Sequence, residues 1–187
     1  MKNNIGKIIE IHFDNEKSFY VGEVINETSK YIIINMVDPY GRYDGKLYIE
    51  KSITNKFVTN SKYLSFIKRV YNGKNNQVIF KNKNDFLQYA LKNNKMLSIS
   101  CSQWLNIRNM KLIKFENNEL TCQFINQIGE GKKIYKLTLD KINQIEFDSL
   151  ELRMYENFLT KINNYHNENT QKDLWKKTKW RIFLEKL

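Results

Sequence analysis

Proline occurs once in this chain of 187 residues, cysteine twice, histidine twice and glycine seven times. Each scarcity excludes something. Cys101 and Cys122 belong to no Cys-x-x-Cys pair, so neither a disulfide scaffold nor a zinc site is readable, and both suit free thiols in a reducing compartment. His12 and His166 are too few and too far apart to suggest a metal site, and no metal or cofactor is expected. No apolar run approaches the ~18–20 residues of a membrane span, and no signal peptide is visible. The expectation is a soluble cytoplasmic protein. A glycine-rich phosphate loop, a Gly-x-Ser-x-Gly elbow and a histidine placed with a nucleophile are all missing, so no catalytic residue is nominated. Glu146 and Asp148 form an i, i+2 carboxylate pair, read as solvated groups near a sheet edge.

What is present points to β structure said twice. With 41% hydrophobic and 13% aromatic residues the chain can bury a core. Gly22-Glu23-Val24-Ile25, Tyr31-Ile32-Ile33-Ile34, a turn at Gly41 and Gly45, Leu47-Tyr48-Ile49, Ile53 and Asn60-Ser61 follow one another. The order returns as Lys111-Leu112-Ile113, Leu120-Thr121-Cys122-Gln123-Phe124, Gly129 and Gly131, Tyr135-Lys136-Leu137, Ile142 and Asp148-Ser149. So long a period marks a duplicated folding unit rather than a solenoid. Within each copy, short β-branched and aromatic runs separated by turn residues predict about five antiparallel strands. A Ser cap and a helical stripe follow: Ser61 before Tyr63, Ile67, Val70 and Tyr71, and Ser149 before Leu152, Tyr155, Leu159 and Ile162.

The fold class read from this pattern is β-rich α+β, an internal duplication of a small five-stranded antiparallel β-barrel followed by helices. Closure into a barrel is the economical way to remove exposed strand edges. The boundaries are 1–71 for the first barrel and its helix, 72–93 for a basic connector with a short helix, 94–163 for the second barrel and its helix, and 164–187 for a basic tail. Over residues 5–60 and 94–148 this arrangement resembles, at the level of fold, the Sm-like and SH3-like small-barrel modules. The acidic, Met and Asn residues of an Sm RNA-binding loop have no counterpart in Asp38 to Gly45. The resemblance therefore implies a binding scaffold and transfers no site residue.

Charge locates the candidate site. Of the net +11, residues 1–66 carry +1 and 97–152 carry none, while 67–96 carry +6 and 153–187 carry +4. Basic charge gathered on segments flanking neutral units is a signal for phosphate or an acidic protein surface. In the connector Lys68, Arg69, Lys74, Lys81 and Lys83 are the candidate contacts. The turn Asp38-Pro39-Tyr40-Gly41-Arg42-Tyr43-Asp44-Gly45 adds Tyr40, Arg42 and Tyr43, two rings beside a guanidinium that could stack on bases, although turn chemistry sufficiently explains Asp-Pro and Gly and favours tyrosines that cover a barrel rim. In the tail, Trp175, Lys176, Lys177, Lys179 and Arg181 interleave aromatics with base, with Trp180 expected to anchor the tail to the core. The expected function is a non-enzymatic protein that recognises nucleic acid or a nucleotide. The alternative is a protein-interaction module, an adaptor or a mobile-element-encoded inhibitor, that sets a basic face against an acidic partner.

Overall fold

Tyr-Ile-Ile-Ile-Asn-Met-Val has no polar alternation, and a strand of that kind must be covered on both faces. The computed structural model describes residues 4–13, 19–73, 78–101, 105–126 and 131–168, and in it this run is strand β3, Tyr31–Val37, buried from Ile32 to Val37. Around it lie β1 (Ile8–Phe13), β2 (Phe19–Glu27), β4 (Tyr43–Glu50) and β5 (Thr54–Val58), the last entered through a 3₁₀ turn at Lys51–Ile53. Helix α1 (Lys62–Val70) follows, then α2 (Lys83–Lys92), β6 (Met96–Cys101), β7 (Leu105–Glu116), β8 (Glu119–Ile125) and β9 (Gly131–Thr138). A second 3₁₀ turn at Leu139–Lys141 leads into β10 (Ile142–Phe147) and α3 (Leu150–Glu168).

The ten strands form one antiparallel sheet in the order β5-β1-β2-β3-β4-β10-β6-β7-β8-β9. The expected pair of closed barrels is not what forms. The outer edge of β4, which a closed barrel would pair with its own β5, is taken by β10 through Gln144 opposite Ile49 and Glu146 opposite Leu47. The sheet stays open, with β5 and β9 at its ends. Lys56 on β5, and Lys133 and Lys136 on β9, are all exposed, and charge of this kind discourages edge-to-edge pairing.

The core follows from the pleat. Ile32, Ile34, Leu47 and Ile49 project to one face with Ile9, Ile11 and Val24, while Ile33 and Tyr48, opposite each other in register, project to the other. There they join a cluster built from the second five strands and α2, including Phe86, Leu87, Ile99, Ile145 and Phe147. Neighbouring residues of one strand thus serve two cores. Helix α1 lays Leu64 and Ile67 on Ile8, Val21 and Val37, and Leu152 of α3 meets Met96 and Ile125.

Helix starts show what is local and what is not. Ser61 caps α1 by accepting from the Leu64 amide at 3.0 Å, and Asn82 caps α2 by accepting from the Asp85 amide at 2.9 Å, as the N-cap preference requires. At α3 the Leu150 amide is instead met by the Asp44 carboxylate at 2.8 Å, from the far side of the β4–β10 seam.

Candidate functional site

Asp38 organises the turn that joins β3 to β4. Its carboxylate accepts from the amides of Tyr40 and Arg42 and from Arg42 Nε at 2.7 Å. Burial pushes that carboxyl up, and these hydrogen bonds outweigh it and hold it below the usual carboxylate range. The Arg42 guanidinium sits 5.0 Å from the centre of the Tyr40 ring, and that ring is 75% exposed. Gly41, at φ +78°, lies so close to α1 that a Cβ would stand 2.6 Å from Val70 Cγ2. The turn therefore leans on the last turn of α1, where Lys68 and Arg69 are exposed. Phe66, 51% exposed, stands one helical turn before Val70 on the same face. Sequence reasoning misses Phe66, although its place outside the buried stripe of Leu64 and Ile67 is a usable signal.

Other candidates are dispersed. Tyr43 belongs to β4 rather than to the turn, and its half-buried ring carries Lys46 at 5.7 Å and Arg153 at 5.8 Å. Burial pushes its hydroxyl far above the ordinary tyrosine value. Lys81 and Lys83 lie at the opposite end of β3 from the turn: the Tyr31 hydroxyl donates to the Lys81 carbonyl, and Lys83 Nζ meets Glu50 at 2.5 Å. Lys83 also donates to the carbonyls of Leu139 at 3.1 Å and Ile142 at 2.6 Å. It ties the two 3₁₀ regions together and is engaged inside the protein. At ~3.3 Å per residue, the length of β3 separates these lysines from Lys68 and Arg69 by about 20 Å. Lys74 and the tail residues Trp175, Lys176, Lys177, Lys179, Trp180 and Arg181 lie outside the described residues.

A second feature is built on β7. β7 carries a bulge: Leu97 pairs with Met110 and Ile99 with Ile107, so Arg108 and Asn109 together oppose Ser98. Asn109 takes φ 57°, which asparagine tolerates better than most residues. With Glu146 on β10, Leu152 at the start of α3 and Tyr20 on β2, these residues line a cleft of about 200 Å³. Glu146 corrects the reading of a solvated carboxylate pair. Burial raises its carboxyl, with the Ser149 hydroxyl pulling the other way and Asp44 adding to the rise, while Asp148 pairs with Lys95 at 2.6 Å. Elsewhere, Cys122 is buried and its thiol is pushed up to about 12, and Cys101 is half-buried and raised by the same cause. Among the described residues no group of three His, Cys, Asp or Glu could hold a metal, and no helix is long and apolar enough to cross a membrane.

No family model, no curated protein and no solved structure matches this chain.

Proposed function

We propose that the protein is a non-enzymatic binding module that takes nucleic acid at the corner between the β3–β4 turn and α1. The observation that carries this reading is the exposed Tyr40 ring beside the Arg42 guanidinium, in a turn whose Gly41 backbone packs on the helix end that bears Lys68 and Arg69. Exposed rings interleaved with cations suit single strands: Tyr40 and Phe66 supply stacking faces, while Arg42, Lys68 and Arg69 neutralise phosphate. The architecture is read as a duplicated five-strand unit. Its support is the strand order last-first-second-third-fourth in each half, and the 3₁₀ turn before the last strand of each. On this reading the aromatic turn is a property of the first copy.

Fluorescence anisotropy with single-stranded DNA and RNA oligonucleotides at several salt concentrations tests the proposal. The triple variant Arg42→Glu, Lys68→Glu, Arg69→Glu should lose binding, and single reversals should flatten the salt slope by about 0.7 for each phosphate no longer neutralised. Tyr40→Ala should cost about 1–3 kcal/mol of binding if a base stacks there. Undiminished affinity in the triple variant overturns the placement. A protein partner is the second reading, favoured by the apolar exposure of Phe66 and Val70 beside the cations. Under it, Phe66→Ala abolishes capture of an acidic protein while oligonucleotides never bind.

A further inference from the structure

Helix α1 has a flank that the core only partly uses. Leu64 and Ile67 are buried, and Tyr63, Phe66 and Val70 border them at helical spacing, with Phe66 and Val70 exposed. At ~100° per residue Lys62 and Arg69 fall about 40–60° beyond Phe66, and both are exposed. The border continues past each end of the helix. At the start the Tyr63 ring meets the Phe19 ring edge-on at 5.6 Å, and Phe19, itself exposed, stacks on His12 at 4.8 Å. Lys56, also exposed, stands opposite His12 on β5. At the other end Val70 abuts Gly41, whose neighbours in the turn are Tyr40 and Arg42. Two carboxylates beside this path are engaged inside the fold. Glu10 is met by His12 Nε2 at 2.9 Å and by the Ser61 hydroxyl, and Asp38 by Arg42 Nε at 2.7 Å.

We infer that the corner is one end of a track along this flank, and that its ligand is a single strand of about five nucleotides, stacked from Tyr40 over Phe66 to Phe19 with its phosphates on Arg42, Arg69, Lys62 and Lys56. Tyr63 to Val70 spans about 10 Å at ~1.5 Å per residue. That gives room for about three nucleotides at the ~3.4 Å rise of a stacked strand, and Tyr40 and Phe19 add one ring beyond each end. Rings set along a line of cations match the alternation of base and phosphate in one strand. A duplex keeps its base faces stacked on each other and cannot use the rings, and a mononucleotide needs only the corner. This inference rests on the nucleic-acid reading of the corner and extends it to a second end, on β1, β2 and β5.

The experiment is fluorescence anisotropy of the full chain with labelled oligo-dT and oligo-U of five and eight nucleotides and with a duplex, dinucleotides serving as competitors. Five-mers and eight-mers should bind alike, and dinucleotides at least about tenfold more weakly, since each stacked base is worth a factor of about five or more. Phe19→Ala should weaken the five-mer about fivefold or more and leave the dinucleotide, held at the Tyr40 end, unchanged. Lys56→Glu with Lys62→Glu is the variant that spares the fold, because both lysines are exposed and an acid suits the first turn of a helix. It should flatten the five-mer salt slope by about 0.7 for each phosphate no longer neutralised. If the triple variant at Arg42, Lys68 and Arg69 abolishes binding while dinucleotide and five-mer bind equally, or while Lys56→Glu with Lys62→Glu changes nothing, the track is overturned and the corner stands. A duplex bound as tightly as the five-mer also overturns the track. Binding of no oligonucleotide overturns both and leaves the flank to a protein: a second copy if Phe66→Ala lowers the sedimentation coefficient, an acidic partner if it does not.

Discussion

The corner at Tyr40 and the cleft at Asn109 lie on different halves of the strand order, one beside the β3–β4 turn and the other against β6, β7 and β10, and differ in how they treat charge. At the corner the cations are exposed, with Arg42 paired to Asp38 through Nε and Lys68 Nζ donating to the Thr59 carbonyl at 3.2 Å, and Asp38 is satisfied within its own turn by Tyr40 and Arg42. At the cleft Arg108 is exposed and pairs with Glu151, Glu146 is half-buried, and Asn109 Oδ1 is sealed from solvent without a partner. The first region is visible as composition, since exposed base beside aromatics is a local pattern. The second arises only when β10 is drawn between β4 and β6, placing Glu146 between Leu47 and Ser98. Register, rather than the count of charges, decides which carboxylates and lysines are available to a partner.

The two regions are joined at Gly45, and the largest effect is expected there. It takes φ +97°, and a Cβ would stand 2.6 Å from the Phe147 carbonyl oxygen, against the backbone that starts α3. Gly45→Ala should cost about 2–5 kcal/mol, combining ~1–2 for a left-handed alanine with ~1–3 for forcing packed backbone apart. Gly6, at φ +78° with open space around it, isolates the first contribution, so Gly6→Ala should cost only about 1–2 kcal/mol. Equal destabilisation of the two variants in urea unfolding would show that the seam tolerates movement and that the corner and the cleft are not held rigidly together.

The next effect sharpens the division of the basic connector. Lys83→Met removes three internal hydrogen bonds and strands Glu50, whose side chain is 27% exposed and can partly rehydrate. Stability should fall by about 2–3 kcal/mol, below the ~3–5 seen for fully buried pairs. Lys81→Met and Lys68→Met should stay within about 0.5 kcal/mol, as exposed positions do. If Lys83→Met is as mild as these, its place inside the fold is wrong and it returns to the set of phosphate contacts.

Several of these distinctions are legible in the sequence and others could not be. The run Tyr31 to Val37 has no alternation, so its strand and its double burial follow from hydropathy. Ser61 caps α1 through a bond spanning three residues. By contrast the cap of α3 comes from Asp44, 106 positions upstream, and the edge of β4 could be covered by its own β5 or by a strand from the other half with equal local economy. Lys81 and Lys83 look alike in composition and separate only because Lys83 opens α2 beneath Glu50. The bulge at Arg108-Asn109 adds one residue without breaking the apolar pattern of β7, which hides the cleft.

Lys46 contrasts with the exposed lysines of the corner through its pH behaviour. It is 3% exposed, Nζ donates to Asn35 Oδ1 at 2.7 Å, and burial lowers its pKa to about 8, partly offset by Asp148 and Glu23. Below pH 8 the folded state bears a poorly solvated ammonium. Between about 8 and the unfolded value near 10.5 the unfolded chain binds more protons, so this group's contribution to stability rises with pH. Cys122, raised to about 12 by burial, works in the opposite sense over the same range, so the wild type alone is not diagnostic. The melting temperature of wild type minus that of Lys46→Met should increase from pH 7.5 to 9.5. A flat difference would mean that Lys46 is as well solvated as Lys68.

The smallest effect tests what the Glu146 carboxyl does for stability, and it turns on Glu146→Gln. Burial raises the folded pKa of this carboxyl above its ordinary 4.5. A raised carboxyl favours the folded state below the unfolded pKa, where both states are protonated or the folded state holds its proton more firmly. That advantage disappears as pH rises through the folded value, and above it the protein carries a desolvated carboxylate. Glutamine keeps the shape and removes the charge. The variant should therefore melt slightly higher than wild type at pH 7, and the difference should vanish toward pH 4. The corner offers the contrast: Asp38, held below the usual range by its hydrogen bonds, should lose stability on Asp38→Asn at pH 7. Opposite signs at the two carboxylates would mark Asp38 as part of the scaffold and Glu146 as a group retained at a cost to stability. If Glu146→Gln instead lowers the melting temperature at pH 7, the carboxylate is already paired within the fold.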